Sequence, residues 1–131
     1  MVFVVLASLI GLVVALIIVL LILRSVPFPV QQLTVADAQL GVDYSAHIAN
    51  GFSARITNNS NMQATRISYR IDIYDDKGHP IDGAVLDLGI SIPARSTRRV
   101  EASVSFTSLP DKGKWQWSGR IISAHRFYPG G

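Results

Sequence analysis

The sequence predicts an all-β immunoglobulin-like antiparallel sandwich preceded by one transmembrane α-helix. Two observations support this fold class. A long uncharged apolar run opens the chain, and after residue 32 apolar residues alternate with polar ones in short segments separated by polar turns. The chain is accordingly divided into a transmembrane helix at 1–24, a proline-containing linker at 25–32, a sandwich at 33–128 and a flexible tail at 129–131.

The apolar run covers residues 2–23 and contains no charged residue. At a rise of about 1.5 Å per residue it is about 33 Å long, which matches a hydrocarbon core of about 30 Å. The alternative is a cleaved signal peptide. Three features favour a retained anchor instead: the run exceeds the usual apolar region of a signal peptide, no Lys or Arg precedes it, and no small-residue cleavage site follows Leu23.

Small residues form a stripe along one face of this predicted helix. Ala7, Gly11 and Ala15 are spaced four residues apart, and Ser8 lies beside them. Small residues let a second membrane helix approach closely, so the stripe predicts a packing interface with integral membrane protein subunits. A helix surrounded only by the lipid bilayer is the alternative that the stripe leaves open.

The predicted linker begins at the membrane edge. Pro27 and Pro29 prevent a helix from continuing and favour an extended path. Phe28 is placed at the membrane interface as an aromatic anchor, and Arg24 as a surface contact that weakly favours a cytoplasmic location for the residues after it.

Alternation with a period of two identifies the strands. It is clearest between residues 66 and 73, where four apolar positions alternate with four polar ones, as in a half-buried antiparallel strand. Residues 52–57 and 100–106 show the same pattern. Trp115 and Trp117 share one face of the last strand pair; they either pack in the core or form a ligand platform.

The turns between these strands are rich in Asn, Asp, Ser and Gly. Residues 58–61 read Asn-Asn-Ser-Asn, a turn composition that also matches a glycosylation acceptor, and we favour the turn. Residues 75–78 read Asp-Asp-Lys-Gly; they lack the ligand series of a calcium loop and predict a tight turn.

Charge and composition exclude several function classes. The chain has twelve basic and nine acidic residues, and one of the basic residues is Arg24, so the sandwich is too weakly basic for nucleic-acid binding. The absence of cysteine excludes disulfides and thiolate sites. Arg95, Arg98 and Arg99 form one local cluster. It is interpreted as a solvated strand edge, with a lipid-headgroup, phosphate or partner contact as the alternative.

Several of these segments resemble the FxLYD domain. The residues that carry the resemblance are Asn58-Asn59-Ser60, Ile71-Asp72-Ile73-Tyr74-Asp75 with Gly78, and the strand at 100–106 after a proline-containing loop. The Phe-x-Leu-Tyr-Asp motif stands here as Ile-Asp-Ile-Tyr-Asp. The resemblance covers roughly residues 52–125 and implies a bacterial or archaeal immunoglobulin-like sandwich, an extracytoplasmic location, and a role in interaction rather than catalysis.

No reaction is indicated by the remaining chemistry. His47, His79 and His125 have no metal-ligand spacing, and neither a nucleophile elbow nor a phosphate-binding glycine loop is present in the sequence. The sequence therefore predicts no enzyme, no catalytic or metal site, no cofactor and no small-molecule substrate.

The combined prediction is a single-pass membrane accessory or scaffolding subunit. Its helix packs in a larger membrane protein complex, and its sandwich caps that complex. The alternative is a stand-alone membrane-tethered module that binds a peptide, glycan or envelope component through its loops or an open edge strand. Recovery of a defined complex from native membranes distinguishes the two hypotheses.

Overall fold

The fold is seen in a computed structural model that describes residues 8–18 and 27–127. Residues 8–18 form an α-helix, which at 1.5 Å per residue is about 16 Å long. Among the described residues, no helix is long and apolar enough to span a membrane. This finding corrects the predicted fold class: the transmembrane helix is wrong, because the helix that is seen reaches only about half of the thickness a membrane span requires.

The rest of the described chain is mostly β-structure. A short 3₁₀ helix at Val30–Gln32 precedes six strands: β1 at Leu33–Asp43, β2 at Ile48–Asn58, β3 at Gln63–Asp75, β4 at Pro80–Asp87, β5 at Thr97–Phe106 and β6 at Trp115–Phe127.

These strands form two antiparallel sheets of three strands each. The strand order is β1-β2-β5 in one sheet and β4-β3-β6 in the other. The prediction of an antiparallel sandwich is confirmed. Each sheet has two edge strands, and β1 of the first sheet lies beside β6 of the second.

The core lies between the sheets and follows the alternation of the sequence. On β3, Ile67, Tyr69, Ile71 and Ile73 are each no more than 2% exposed. Phe52 of β2 stacks on Tyr69 across the sandwich, with ring centroids 4.6 Å apart. Inward residues are buried because alternate side chains of a strand point to opposite faces.

The loop after β2 is held by a buried polar side chain. Asn58 is completely buried; its Nδ2 donates to the carbonyl oxygens of Met62 and Ile92, and its Oδ1 accepts from the Ser60 hydroxyl. A glycan would be attached to Nδ2, and this atom is buried and used in both of these donated hydrogen bonds, so Asn58 is inaccessible for glycosylation. The turn interpretation is confirmed.

Candidate functional site

The edge strands β1 and β6 of the two sheets lie beside each other and form a seam along one side of the sandwich. Its two ends differ. At the C-terminal end of β6, the Phe28 amide donates to the carbonyl oxygen of Ala124 at 2.8 Å, and Pro27 is paired with His125. The Phe28 side chain is 3% exposed and belongs to the core. The segment before β1 therefore closes this end of the seam.

The other end of the seam is an open groove of about 360 Å³. β1 supplies one wall and the start of β6 the other; the lining residues are Ala38, Gln39, Leu40, Val42, Tyr44, Gly113, Trp115, Gln116 and Trp117. Both tryptophans of the protein are half-buried here. Trp117 meets Phe52 edge to face at 6.5 Å, so the groove floor is continuous with the core.

Two polar turns lie at the mouth of the groove: residues 44–47 after β1 and residues 112–113 before β6. In the turn after β1, the Asp43 carboxylate accepts from the Ser45 hydroxyl at 2.7 Å and from the Ser45 amide at 3.1 Å. The bond from the Ser45 hydroxyl first, and then those from the Ala46 and Ser45 amides, hold the pKa of Asp43 below its usual value. The turn places Tyr44 beneath the Lys112 ammonium, 5.3 Å from the ring centroid.

Along the open end of β6, alternate residues direct their backbone N–H and C=O groups away from β3, toward the free edge of the sheet. On β3, the Asp75 amide donates to the carbonyl oxygen of His79, toward the β4 side. In an antiparallel ladder the direction alternates, so beyond the irregularity of β3 at residues 65–68 its even residues bond to β6, through pairs such as Arg70–Arg120. Their odd neighbours on β6 therefore point N–H and C=O away from the sheet; these are Trp115, Trp117, Gly119 and Ile121.

Gly119 lies at the middle of this open edge, where the Tyr69 side chain reaches it. A Cβ at Gly119 would collide with the Tyr69 phenol. Burial raises the pKa of Tyr69, because the phenolate would be poorly solvated there. Glycine at this position lets the buried Tyr69 ring approach the backbone of β6 closely.

The outer face of the β4-β3-β6 sheet carries two arginines side by side. Arg70 is opposite Arg120 on β6 and Val85 on β4. The Arg70 guanidinium is bound by Asp72 at 3.0 Å. Within residues 27–127, no salt bridge involves Arg120, which is exposed. The end of this row of side chains is therefore positively charged.

The predicted helix-packing residues lie in the N-terminal helix or just outside the described residues. Ser8, Gly11 and Ala15 are all exposed, and among the described residues nothing outside the helix itself lies within 4 Å of the place that a Cβ on Gly11 would take. Ala7 and Arg24 lie outside the described residues. The described part of the stripe is thus uncovered.

The other predicted contact residues are placed differently from one another. Phe28, expected at a membrane interface, is buried in the sandwich core. Arg95 donates to the Asn61 side chain at 3.0 Å. Arg98 and Arg99 are neighbours on β5, opposite the buried Ile56 and the outward Arg55, so their side chains point to opposite faces. Three residues that are close in sequence do not form one charged site.

The three histidines are far apart in the fold. The Nδ1 atom of His47 lies 3.8 Å from Oδ1 of Asp111, and Nδ1 of His79 lies 3.2 Å from Oδ2 of Asp75 in the β3–β4 turn. His125 is at the closed end of the seam. In the part of the chain that the structure describes, no three His, Asp or Glu side chains group as metal ligands.

The Asp75 turn has the geometry that its sequence predicts. The Asp75 carboxylate accepts from the backbone amides of His79 at 2.8 Å and Lys77 at 2.9 Å. These bonds, that of His79 first, lower the pKa of Asp75. The Asp75 carboxylate is used in hydrogen bonds within the turn, which agrees with the interpretation of residues 75–78 as a tight turn.

Sequence reasoning did not identify the open edge of β6 or the Arg70–Arg120 pair. The alternation of residues 115–121 predicts a strand, and an unpaired strand of this length is a potential template for another strand. Which strands lie at the edge depends on tertiary pairing. The Arg pair joins residues fifty positions apart and has no local signal.

No known family model matches the chain, and no curated protein matches it. Several solved structures are similar to this chain at low sequence identity and low TM-score. The Northeast Structural Genomics Consortium target SoR45 is 12% identical, with a TM-score of 0.46 over 76% of this chain and 88% of that one. A DUF1425 family member from Shewanella sp. pv-4 is 13% identical, with a TM-score of 0.41 over 76% and 88%.

The putative ApaA protein from Bordetella pertussis is 16% identical, with a TM-score of 0.38 over 76% of this chain and 95% of that one. Similarities at this level carry no inference about function. The resemblance to the FxLYD domain therefore stays a prediction.

Proposed function

We propose that the protein is a non-catalytic accessory subunit that docks on a larger membrane-associated protein assembly and presents its sandwich at the surface of that assembly. The observation that supports this proposal is the apolar helix at residues 8–18. Every residue of the helix is exposed, with Leu12 at 71%, Leu16 at 60% and Leu9 at 59%.

Contact between such a large apolar surface and water is unfavourable, so we expect a partner protein or lipid to cover the helix. The helix is apolar on all sides, so one packed partner helix would leave the remaining sides in contact with further protein or lipid. Small residues at Gly11 and Ala15 fit close packing against partner helices. The extracytoplasmic side is proposed for the sandwich on the FxLYD resemblance.

The test is recovery of the full chain through a C-terminal tag from native membranes in mild detergent, followed by mass spectrometry. We expect stoichiometric partner subunits. Gly11→Leu should reduce their recovery, because the added side chain separates the packed helices. Val13→Leu is the matched control, since residue 13 lies on nearly the opposite side of the helix. Recovery of the protein alone would contradict the proposal.

A stand-alone binding module is the second candidate function. The groove between β1 and β6 favours it, because aromatic and aliphatic side chains line it together with exposed polar groups, a combination found in ligand sites. The discriminating result is saturable ligand binding by a protein that is recovered without partner subunits.

A further inference from the structure

We propose that the open end of the seam binds an extended segment of another protein as an additional strand on β6, with apolar side chains in the groove and an acidic side chain beside Arg120. The inference rests on the second proposed function, the binding module, and names the chemistry of its partner.

Backbone hydrogen bonding supplies the first reason. Trp115, Trp117, Gly119 and Ile121 direct their N–H and C=O groups to the open edge, as the register with β3 requires. An extended segment can pair with all four residues without disturbing the ladder between β3 and β6. Strand addition of this kind draws its affinity from main-chain bonds.

Side-chain packing supplies the second reason. An added strand places alternate side chains on the inner side, above the groove between β1 and β6. The groove there is lined by Leu40, Val42, Trp115 and Trp117, which are all partly buried and pack against the core. Apolar residues at alternate positions of the segment would therefore fill a space of about 360 Å³.

Charge identifies the outward residue of the segment. An added strand would continue the row Val85–Arg70–Arg120 with one more side chain on the outer face. Asp72 is bound to Arg70, and no described residue forms a salt bridge with Arg120. Opposite charges on directly facing strands attract, so Asp or Glu is favoured at this position.

The chain itself already uses this edge at the closed end. Pro27 pairs with His125 and Phe28 donates to Ala124, so a short extended segment lies against β6 and buries an aromatic side chain in the seam. The proposed partner continues the same mode of pairing along the open end. A second copy of β6 is a poorer occupant, because it would bring another Arg120 to the same face.

The experiment uses the full chain in mild detergent and synthetic peptides of about nine residues, a typical strand length. The peptides alternate valine with serine and contain glutamate or lysine in place of the central serine. Intrinsic fluorescence reports occupancy directly, since the two tryptophans of the protein both line the groove. We expect a saturable change, with the glutamate peptide binding about five-fold tighter than the lysine peptide.

Two variants and one modified peptide make the result specific. Arg120→Glu should reverse the preference between the two peptides. Arg99→Glu is the matched control, because it makes the same charge change on β5 of the other sheet and should leave the preference intact. N-methylation of the peptide backbone should abolish binding, since it removes the main-chain donors.

Equal binding of both peptides by the Arg120→Glu variant, or no saturable change for the unmodified protein, would overturn the inference. A fluorescence change that follows protein concentration alone and resists competition by the peptide would identify a second copy as the occupant and would also overturn it. These outcomes leave the partner recovery experiment on the N-terminal helix unaffected.

Discussion

Both ends of the seam lie between β1 and β6, but the segment before β1 covers one end and the other end is an open groove. At the closed end, Phe28 lies 3% exposed beneath the edge and its amide is bonded to Ala124. At the open end, Trp115 and Trp117 remain half-buried and the facing backbone has no described partner strand. The difference shows how one short extended segment converts an open edge into core.

Hydrogen exchange should distinguish the two ends most strongly. The Phe28 amide is bonded in the seam, whereas the amides of Trp117 and Ile121 point to the open edge. We expect the open-edge amides to exchange on the order of a hundredfold faster than that of Phe28, because protection follows the free energy of local opening. Equal protection, measured by NMR, would contradict the assigned direction of the β6 backbone.

Removal of the closing side chain should cause the largest loss of stability. Phe28→Ala leaves a cavity in the core and is expected to lower the free energy of unfolding by about 3–4 kcal/mol. Urea denaturation followed by tryptophan fluorescence measures this change. Ile122→Ala on β6, the strand that Phe28 lies against, is the control; Ile122 is 41% exposed, and its truncation should cost well under half as much.

A side chain at Gly119 should have the next largest effect. The Tyr69 phenol occupies the space of the added Cβ, so Gly119→Ala must displace a buried ring and should cost about 1–3 kcal/mol. Thermal unfolding provides the measurement. Ser118→Ala, at the neighbouring outward position, should leave the midpoint nearly unchanged; an equal drop in both variants would argue against the Tyr69 contact.

Lowering the pH should destabilise the Asp43 turn at the open end of the seam before it affects the closed end. The pKa of Asp43 is lowered in the fold, so its contribution to stability is present above about pH 4, where unfolded Asp is ionised. That contribution is lost as the pH falls through the lowered value. Exchange of the amides of Ser45 and Ala46 should therefore accelerate in acid relative to that of Phe28. Asp43→Asn should remove this pH dependence, and its persistence in the variant would exclude Asp43 as the cause.

The smallest effect is expected at the rim of the groove. His47 and Asp111 lie 3.8 Å apart with side chains 47% and 83% exposed. Exposed pairs contribute little, so Asp111→Asn should change the unfolding free energy by no more than about 0.5 kcal/mol. A loss above about 1.5 kcal/mol in denaturant titration would indicate a structural role that the geometry does not provide.

Local patterns predicted much of the sandwich but little of the candidate site. Ile67, Tyr69, Ile71 and Ile73 indicate a half-buried strand because alternation is a local property of the chain, and the structure confirms it. Phe28 gave the opposite result. Beside an apolar run and between two prolines it suggested a membrane interface, and pairing with a strand almost a hundred residues later placed it in the core.

The strand periodicity, the polar turns and the strongly apolar N-terminal region can all be read from local sequence. Residue type and spacing are enough for these, since they depend on neighbours within a few positions. Three other features became visible in the fold alone: which strands are edges, the pairing of Arg120 with Arg70, and the seam that Phe28 closes at one end and that is open at the other. These features depend on contacts between residues distant in sequence, whose register no local pattern specifies.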